Sequence, residues 1–193
     1  MKPKFIFFVF MLFCSLYSTP QVYLTSYQDS RLWLIPLDYI EEIVGNKEVA
    51  ELIYLHSVKE GVPPIISVAL CWRESEFKIN AFNQNVNGTV DRGLFQLNSR
   101  YYNPNTMPEV TVNKEIYYPF INIKYGVRHL AKEYRYWRDS GDINYLWKAY
   151  ASYNCGRKRV IDNTIPKSTF FHATSLVQKC IIYLEDFFEK DEL

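Results

Sequence analysis

Apolar positions recur at helical spacing along much of the chain, and the breaks between runs set the elements. Lys47 to Glu60 repeats apolar residues at Val49, Leu52, Ile53 and Leu55, which predicts an amphipathic helix stopped by Gly61. A shorter helix is predicted from Asp38 to Val44, closed by Gly45-Asn46. Pro63-Pro64 opens the next one, since proline in the first turn forfeits no helical hydrogen bond. Its apolar body, Ile65 to Trp72, predicts a buried helix that runs into Glu74-Ser75. The pattern then turns polar. An Asn-rich loop bends at Asn87-Gly88 and returns through Asp91 to Gly93-Leu94-Phe95-Gln96, predicting a small β-hairpin. Residues 99–119, rich in Tyr, Asn and Pro, predict an irregular rim. Helical spacing resumes from Ile121 to Trp137 and from Leu146 to Gly156. A last amphipathic helix, Leu176 to Glu189, lines one broad face with Leu176, Val177, Cys180, Ile181, Leu184, Phe187 and Phe188. Residues 21–36 show no clear periodicity, and no internal repeat is present. The fold class is mainly α, with a small β-hairpin at the Asn-rich loop.

Composition narrows this to one domain. A chain of 193 residues can bury a substantial core and is too short for two comfortable domains. Its formal charge is +1 and it has no basic tract, so nucleic acid is not an expected partner. Met1-Lys2-Pro3-Lys4, the apolar run Phe5 to Cys14, and the small and polar residues to Pro20 read as a secretory signal peptide over 1–20. An uncleaved membrane anchor is the other reading, and bulky Phe13 argues against lipidation of Cys14. Residues 21–46 read as an N-terminal extension and 47–193 as the domain, C-terminal helix included. Export is expected of such a segment. Lys190-Asp191-Glu192-Leu193 would instead address the chain to the lumen of the endoplasmic reticulum, if it is a retention signal.

Beyond the signal segment stand Cys71, Cys155 and Cys180, an odd set that cannot pair completely. Buried free thiols are expected, with a Cys71–Cys155 bridge as the alternative. His56, His129 and His172 stand isolated, so no metal site and no cofactor are expected. Arg157-Lys158-Arg159 reads as a solvated basic face rather than a glycan clamp.

The candidate chemistry lies at residues 71–98. Glu74 is delivered at the C-terminal end of a buried helix, facing a polar loop. That end carries partial negative charge and the helix body withdraws water, two effects that favour a protonated acid. Glu74-Ser75, Ala81 and Gly93-Leu94-Phe95-Gln96 resemble the motifs of the lysozyme superfamily, in particular soluble lytic transglycosylases and goose-type lysozymes. Phe95 stands where that family usually has Met. Asn87 to Gly93, followed by Gln96 to Tyr101, also looks like the loop of C-type lysozymes, which puts Asp91 where those enzymes keep a second carboxylate. Some small transglycosylases associated with secretion machinery share this longer loop, so such envelope machinery is a candidate partner. Asn122, Gly126 and Leu130 match a family signature in which a helix packs against the catalytic one. Ala149 to Gly156 resembles the pattern Ala-Tyr-Asn-Ala-Gly, with Cys155 in place of the second Ala.

The resemblance implies a lysozyme-like helical domain that cleaves the β-1,4 bond between N-acetylmuramic acid and N-acetylglucosamine in peptidoglycan. It also implies the periplasm or cell envelope of a bacterium as the destination of the exported chain. Glu74 would be the catalytic acid and base, with Ser75, Phe95, Gln96, Tyr153 and Asn154 contacting or shaping the substrate site. Asp91 stays open: a second catalytic carboxylate would make the chain a hydrolase, whereas an Asp bonded within its loop would leave Glu74 alone, as in a transglycosylase. The transglycosylase is preferred, lysozyme-type hydrolysis is the alternative, and a non-catalytic glycan-binding or secretion-assembly module is a third reading.

Overall fold

The computed structural model describes residues 26–191; the signal peptide expected over 1–20, the first residues of the segment after it, and Glu192-Leu193 lie outside them. In chain order the helices are α1 (Ser26–Arg31), α2 (Leu37–Val44), α3 (Lys47–Glu60) and α4 (Pro64–Ser75), followed after the sheet by α5 (Pro119–Asp139), α6 (Tyr145–Cys155), α7 (Arg157–Ile161) and α8 (Lys167–Asp191). Between α4 and α5 lies an antiparallel sheet of β1 (Phe82–Gln84), β2 (Val90–Arg92) and β3 (Leu97–Asn98) in that order. The mainly α class therefore holds, and the hairpin gains a third short strand.

Helix α4 is the axis of the fold. Every residue from Pro64 to Cys71 is buried, so no face of this stretch needs water. Helices α3 and α8 pack on it, and α6 bridges α5 to α8. Buried polar groups on these helices find partners across the interfaces. Ser57 Oγ donates to Ser67 Oγ at 2.8 Å, and the Tyr150 hydroxyl donates to the Ile66 carbonyl at 2.9 Å. Such bonds add little net stability, but leaving one unmade costs about 1–3 kcal/mol. Glu76 takes a left-handed conformation at φ 50°, ending α4 directly after the Glu74-Ser75 pair.

Two sequence-based boundaries change and a third holds. The segment over 21–46 packs into the core from Leu32 onward, with Leu32, Ile35 and Ile40 fully buried. Helix α8 begins at Lys167 instead of Leu176, because Thr169 and Ala173 continue its buried stripe with little apolar character of their own. Residues 99–119 form the expected rim of turns, with a short 3-10 helix at Asn113–Tyr117. Met107, Val110 and Ile116 anchor that rim in the core.

Two packing expectations are corrected. Gly126 of α5 meets Phe95 of the turn after β2, not the helix that carries Glu74: a Cβ on Gly126 would lie 2.3 Å from the Phe95 Cβ. Arg157 is not part of a solvated face. It grips the buried Glu133 through Nε and one terminal nitrogen at 2.7 and 3.0 Å, tying α7 to α5. Within the described residues all three cysteines are free; Cys71 and Cys180 are buried and Cys155 is half-buried.

Candidate active site

A cleft of about 1170 Å³ opens between the sheet and α5, with the end of α6 as its floor. The sheet side presents Asn85, Thr89, Asp91 and Asn98, and α5 presents Tyr125, Arg128, His129, Lys132 and Arg135. Glu60 pairs with Arg128 at 3.2 Å and with Arg135 at 3.9 Å, fixing two of these cations at the cleft wall.

Glu74 enters this cleft from the last turn of α4, its side chain 13 % exposed. Its Oε1 lies 3.3 Å from Nε2 of His172, a side chain on α8 that is 11 % exposed. Sequence reasoning missed this neighbour. His172 stands almost a hundred residues away, in the part of α8 whose periodicity is faint, and it looked isolated only along the chain.

Asp91 is held differently. Its Oδ1 accepts from Asn98 Nδ2 at 2.7 Å, and its Oδ2 accepts from Asn85 Nδ2 at 2.8 Å and from Asn83 Nδ2 at 3.3 Å. The register explains the cradle: Asp91 sits opposite Asn83 on β1 and opposite Asn98 on β3. Two strands and the residue after β1 thus converge on one carboxylate through amides, and the Asn-rich composition of the loop has a structural purpose.

The turn after β2 supports the floor. Gly93 adopts φ +73°, and a side chain there would run into Asn122, whose Nδ2 would lie 2.3 Å from the added Cβ. Asn122 is fully buried and binds backbone on three sides. Its Oδ1 accepts from Phe95 N at 2.7 Å, and its Nδ2 donates to the Arg92 and Ile116 carbonyls at 2.9 Å each. Gln96, at φ +44°, lines the cleft and donates from Nε2 to the Gly93 carbonyl at 2.9 Å. A non-glycine residue held left-handed is strained by about 1–3 kcal/mol and persists where its surroundings over-determine it.

Tyr153 lines the cleft, and its hydroxyl donates to the Phe95 carbonyl at 2.7 Å. Burial, then the nearby Glu74 charge, push that hydroxyl well above the ordinary phenol range, so it remains a donor. His129 stacks on the Tyr153 ring with centroids 4.5 Å apart, and burial lowers its proton affinity, leaving it neutral near physiological pH. Asn154 also lines the cleft, its Oδ1 accepting from Thr169 Oγ1 at 2.6 Å. Ser75 and Phe95 lie in the wall instead. The Ser75 hydroxyl donates to the Cys71 carbonyl at 3.1 Å, and Phe95 is fully buried against Gly126.

A helix-end carboxyl facing a sheet across a long cleft defines a lysozyme-like helical domain. Residues 51–170 match the transglycosylase SLT domain, and the chain belongs to that family. Among curated proteins it is similar to an X polypeptide of Escherichia coli, 26% identical over 117 residues that span 61% of this chain and 66% of that protein. A second X polypeptide, from Escherichia coli strain K12, is 26% identical over 98 residues, spanning 51% of this chain and 54% of the other. The chain thus spans between about half and two thirds of the curated relatives it matches. Among solved structures, an inactive mutant of the lytic transglycosylase Slt from Pseudomonas aeruginosa superposes with a TM-score of 0.54 at 19% identity. That match covers 71% of this chain and 24% of the other, and establishes the shared fold.

Proposed function

We propose that the protein is a peptidoglycan lytic transglycosylase in which Glu74 is the single acid–base group. The observation that carries this reading is the contrast between the two cleft carboxylates: Asp91 already accepts three amide hydrogen bonds, whereas the Glu74 carboxyl, among the described residues, faces His172 Nε2 at 3.3 Å and out of hydrogen-bond alignment. Membership of the SLT family and the fold shared with Slt support it. Glu74 donates its proton to the glycosidic oxygen as the bond from the muramic acid C1 to that oxygen breaks. The resulting carboxylate then takes the proton of the 6-hydroxyl, whose oxygen bonds to C1. Glu74 ends protonated, no water is consumed, and the product carries a 1,6-anhydro end. The aromatic side chains of the cleft offer faces for sugar rings, and its asparagines offer donors and acceptors for hydroxyl and N-acetyl groups. This reading carries with it the proposal that the protein works in a bacterial envelope, where such a substrate is found.

The test is mass spectrometry of the muropeptides released from purified peptidoglycan, with Glu74→Gln in parallel. Anhydro products, lighter by one water (roughly 18 Da) than hydrolysis products, are expected and should vanish in the variant. Reducing-end products would move Asp91 into the mechanism and make the chain a hydrolase. Binding without cleavage would leave a glycan-binding module.

A further inference from the structure

The contact between α4 and α8 at Glu74 is not needed for packing. His172 Nε2 is buried with no aligned hydrogen-bond partner, although Glu74 Oε1 is only 3.3 Å away. Leaving a buried polar atom unpaired costs about 1–3 kcal/mol, and a small apolar side chain would avoid it. The positions flanking His172 on the inward face of α8 are such residues: Ala173 and Leu176 are fully buried. The first turn of α8 is also fixed, by the bond from Thr169 to Asn154 on α6. Among the described residues the imidazole thus brings a buried Nε2 without a hydrogen-bond partner against the Glu74 carboxyl. Catalytic hydrogen bonds often stand misaligned until substrate arrives, and a small rotation of either group would complete this one.

We propose that His172 is the positioning residue for Glu74, holding Oε1 through Nε2 and so controlling where the carboxyl points. The idea rests on the acid–base role given to Glu74 above. With a neutral ring protonated on Nε2, the N–H meets the carboxylate that forms as Glu74 gives its proton to the glycosidic oxygen. In the second half the carboxylate takes the 6-hydroxyl proton, and the ring keeps its own throughout.

Other charged groups near the pair do not replace this contact. Helix α4 contributes Cys71, pushed up by burial, and the exposed Arg73. Helix α6 contributes Tyr153 and Cys155, both also pushed up by burial first. On α8, Lys167 and Lys179 direct their ammonium groups over the Phe171 and Trp72 rings. Asp91 on β2 is committed to its asparagines.

The test is the rate of peptidoglycan cleavage by the full chain, resolved into kcat and KM, with His172→Phe and His172→Gln, and Glu74→Gln as control. His172→Phe should lower kcat near neutral pH about 10- to 100-fold with KM close to wild type, the size of one hydrogen bond to a charged group. His172→Gln keeps an N–H donor and should recover most of that loss. Nitrogen NMR of the His172 ring in the folded chain should show its Nε2 resonance displaced in Glu74→Gln. A Gln variant no better than the Phe variant, or a ring resonance indifferent to Glu74→Gln, would overturn the proposal while leaving Glu74 in place. A wild-type chain without Glu74-dependent cleavage would remove the acid–base reading and this proposal together, so the two failures are distinguishable.

Discussion

Glu74 and Asp91 share one cleft, yet the fold treats them as different chemical objects. Asp91 stands between two strands and is gripped from both sides by Asn83, Asn85 and Asn98. Glu74 stands at the open end of a buried helix with a single imidazole beside it. A carboxylate that must attack carbon or move a proton needs a lone pair to spare, and hydrogen bonds to a charged group are worth about 1.5–3 kcal/mol each. Freeing Asp91 would forfeit that stabilisation at the moment of reaction. Both carboxyls face the cleft; what separates them is how far their lone pairs are already occupied.

The sharpest way to break this contrast is to neutralise each carboxyl in turn. Glu74→Gln should lower the rate of muropeptide release about 100- to 10,000-fold, the range of a positioned general acid. Its thermal unfolding should stay close to wild type, because the contact with His172 Nε2 is not an aligned hydrogen bond. Gly126→Ala acts next in size and through packing. The added Cβ would meet the Phe95 Cβ at 2.3 Å, and Phe95 carries the carbonyl that Tyr153 binds. Overpacking of this kind costs about 1–3 kcal/mol, read as a lower urea midpoint, and activity should fall with the displaced floor. Asp91→Asn should behave in the opposite way to Glu74→Gln: a drop in stability of about 1–3 kcal/mol as an amide group is set against amide donors, with less than about a 10-fold change in rate. A rate loss as large as that of Glu74→Gln would restore Asp91 as a second catalytic carboxylate.

What was legible in the sequence follows the same division. Glu74 could be placed because an uninterrupted apolar run and two prolines define a buried helix, and the carboxyl sits where that run stops. Gln96, Tyr153 and Asn154 line the cleft with it. Periodicity says nothing about which face of a turn a residue takes, so Ser75 and Phe95, quoted in the same motifs, could not be told apart from cleft residues. The structure puts both in the wall. His172 was hidden for a different reason. The first turns of α8 make their buried stripe from Thr169 and Ala173, which carry little apolar signal, and the partner of His172 lies on another helix. The N-terminal segment was obscured by Pro36, which separates Leu32 and Ile35 from the helix bearing Tyr39 and Ile40 although all four share the core. Local pattern finds elements; it does not report which elements meet.

The smallest effects test the cradle itself. Asn98 donates to Asp91 at 2.7 Å and also to Thr89 Oγ1 at 3.0 Å, from a half-buried position on β3. Asn83 donates to the same carboxylate at 3.3 Å from an exposed position on β1. Asn98→Ala should therefore cost about 1–2 kcal/mol and Asn83→Ala less than about 0.5 kcal/mol, since solvent replaces a long, exposed bond at little expense. If Asp91 only organises the loop, both variants should keep the wild-type pH profile of cleavage, and any rate loss should follow the loss of stability. If Asp91 takes part in the reaction, removing its donors would change the basicity of that carboxylate and shift the profile even where stability is hardly altered. Asn83→Ala separates the two cases best, because it removes one donor from Asp91 while disturbing the fold least.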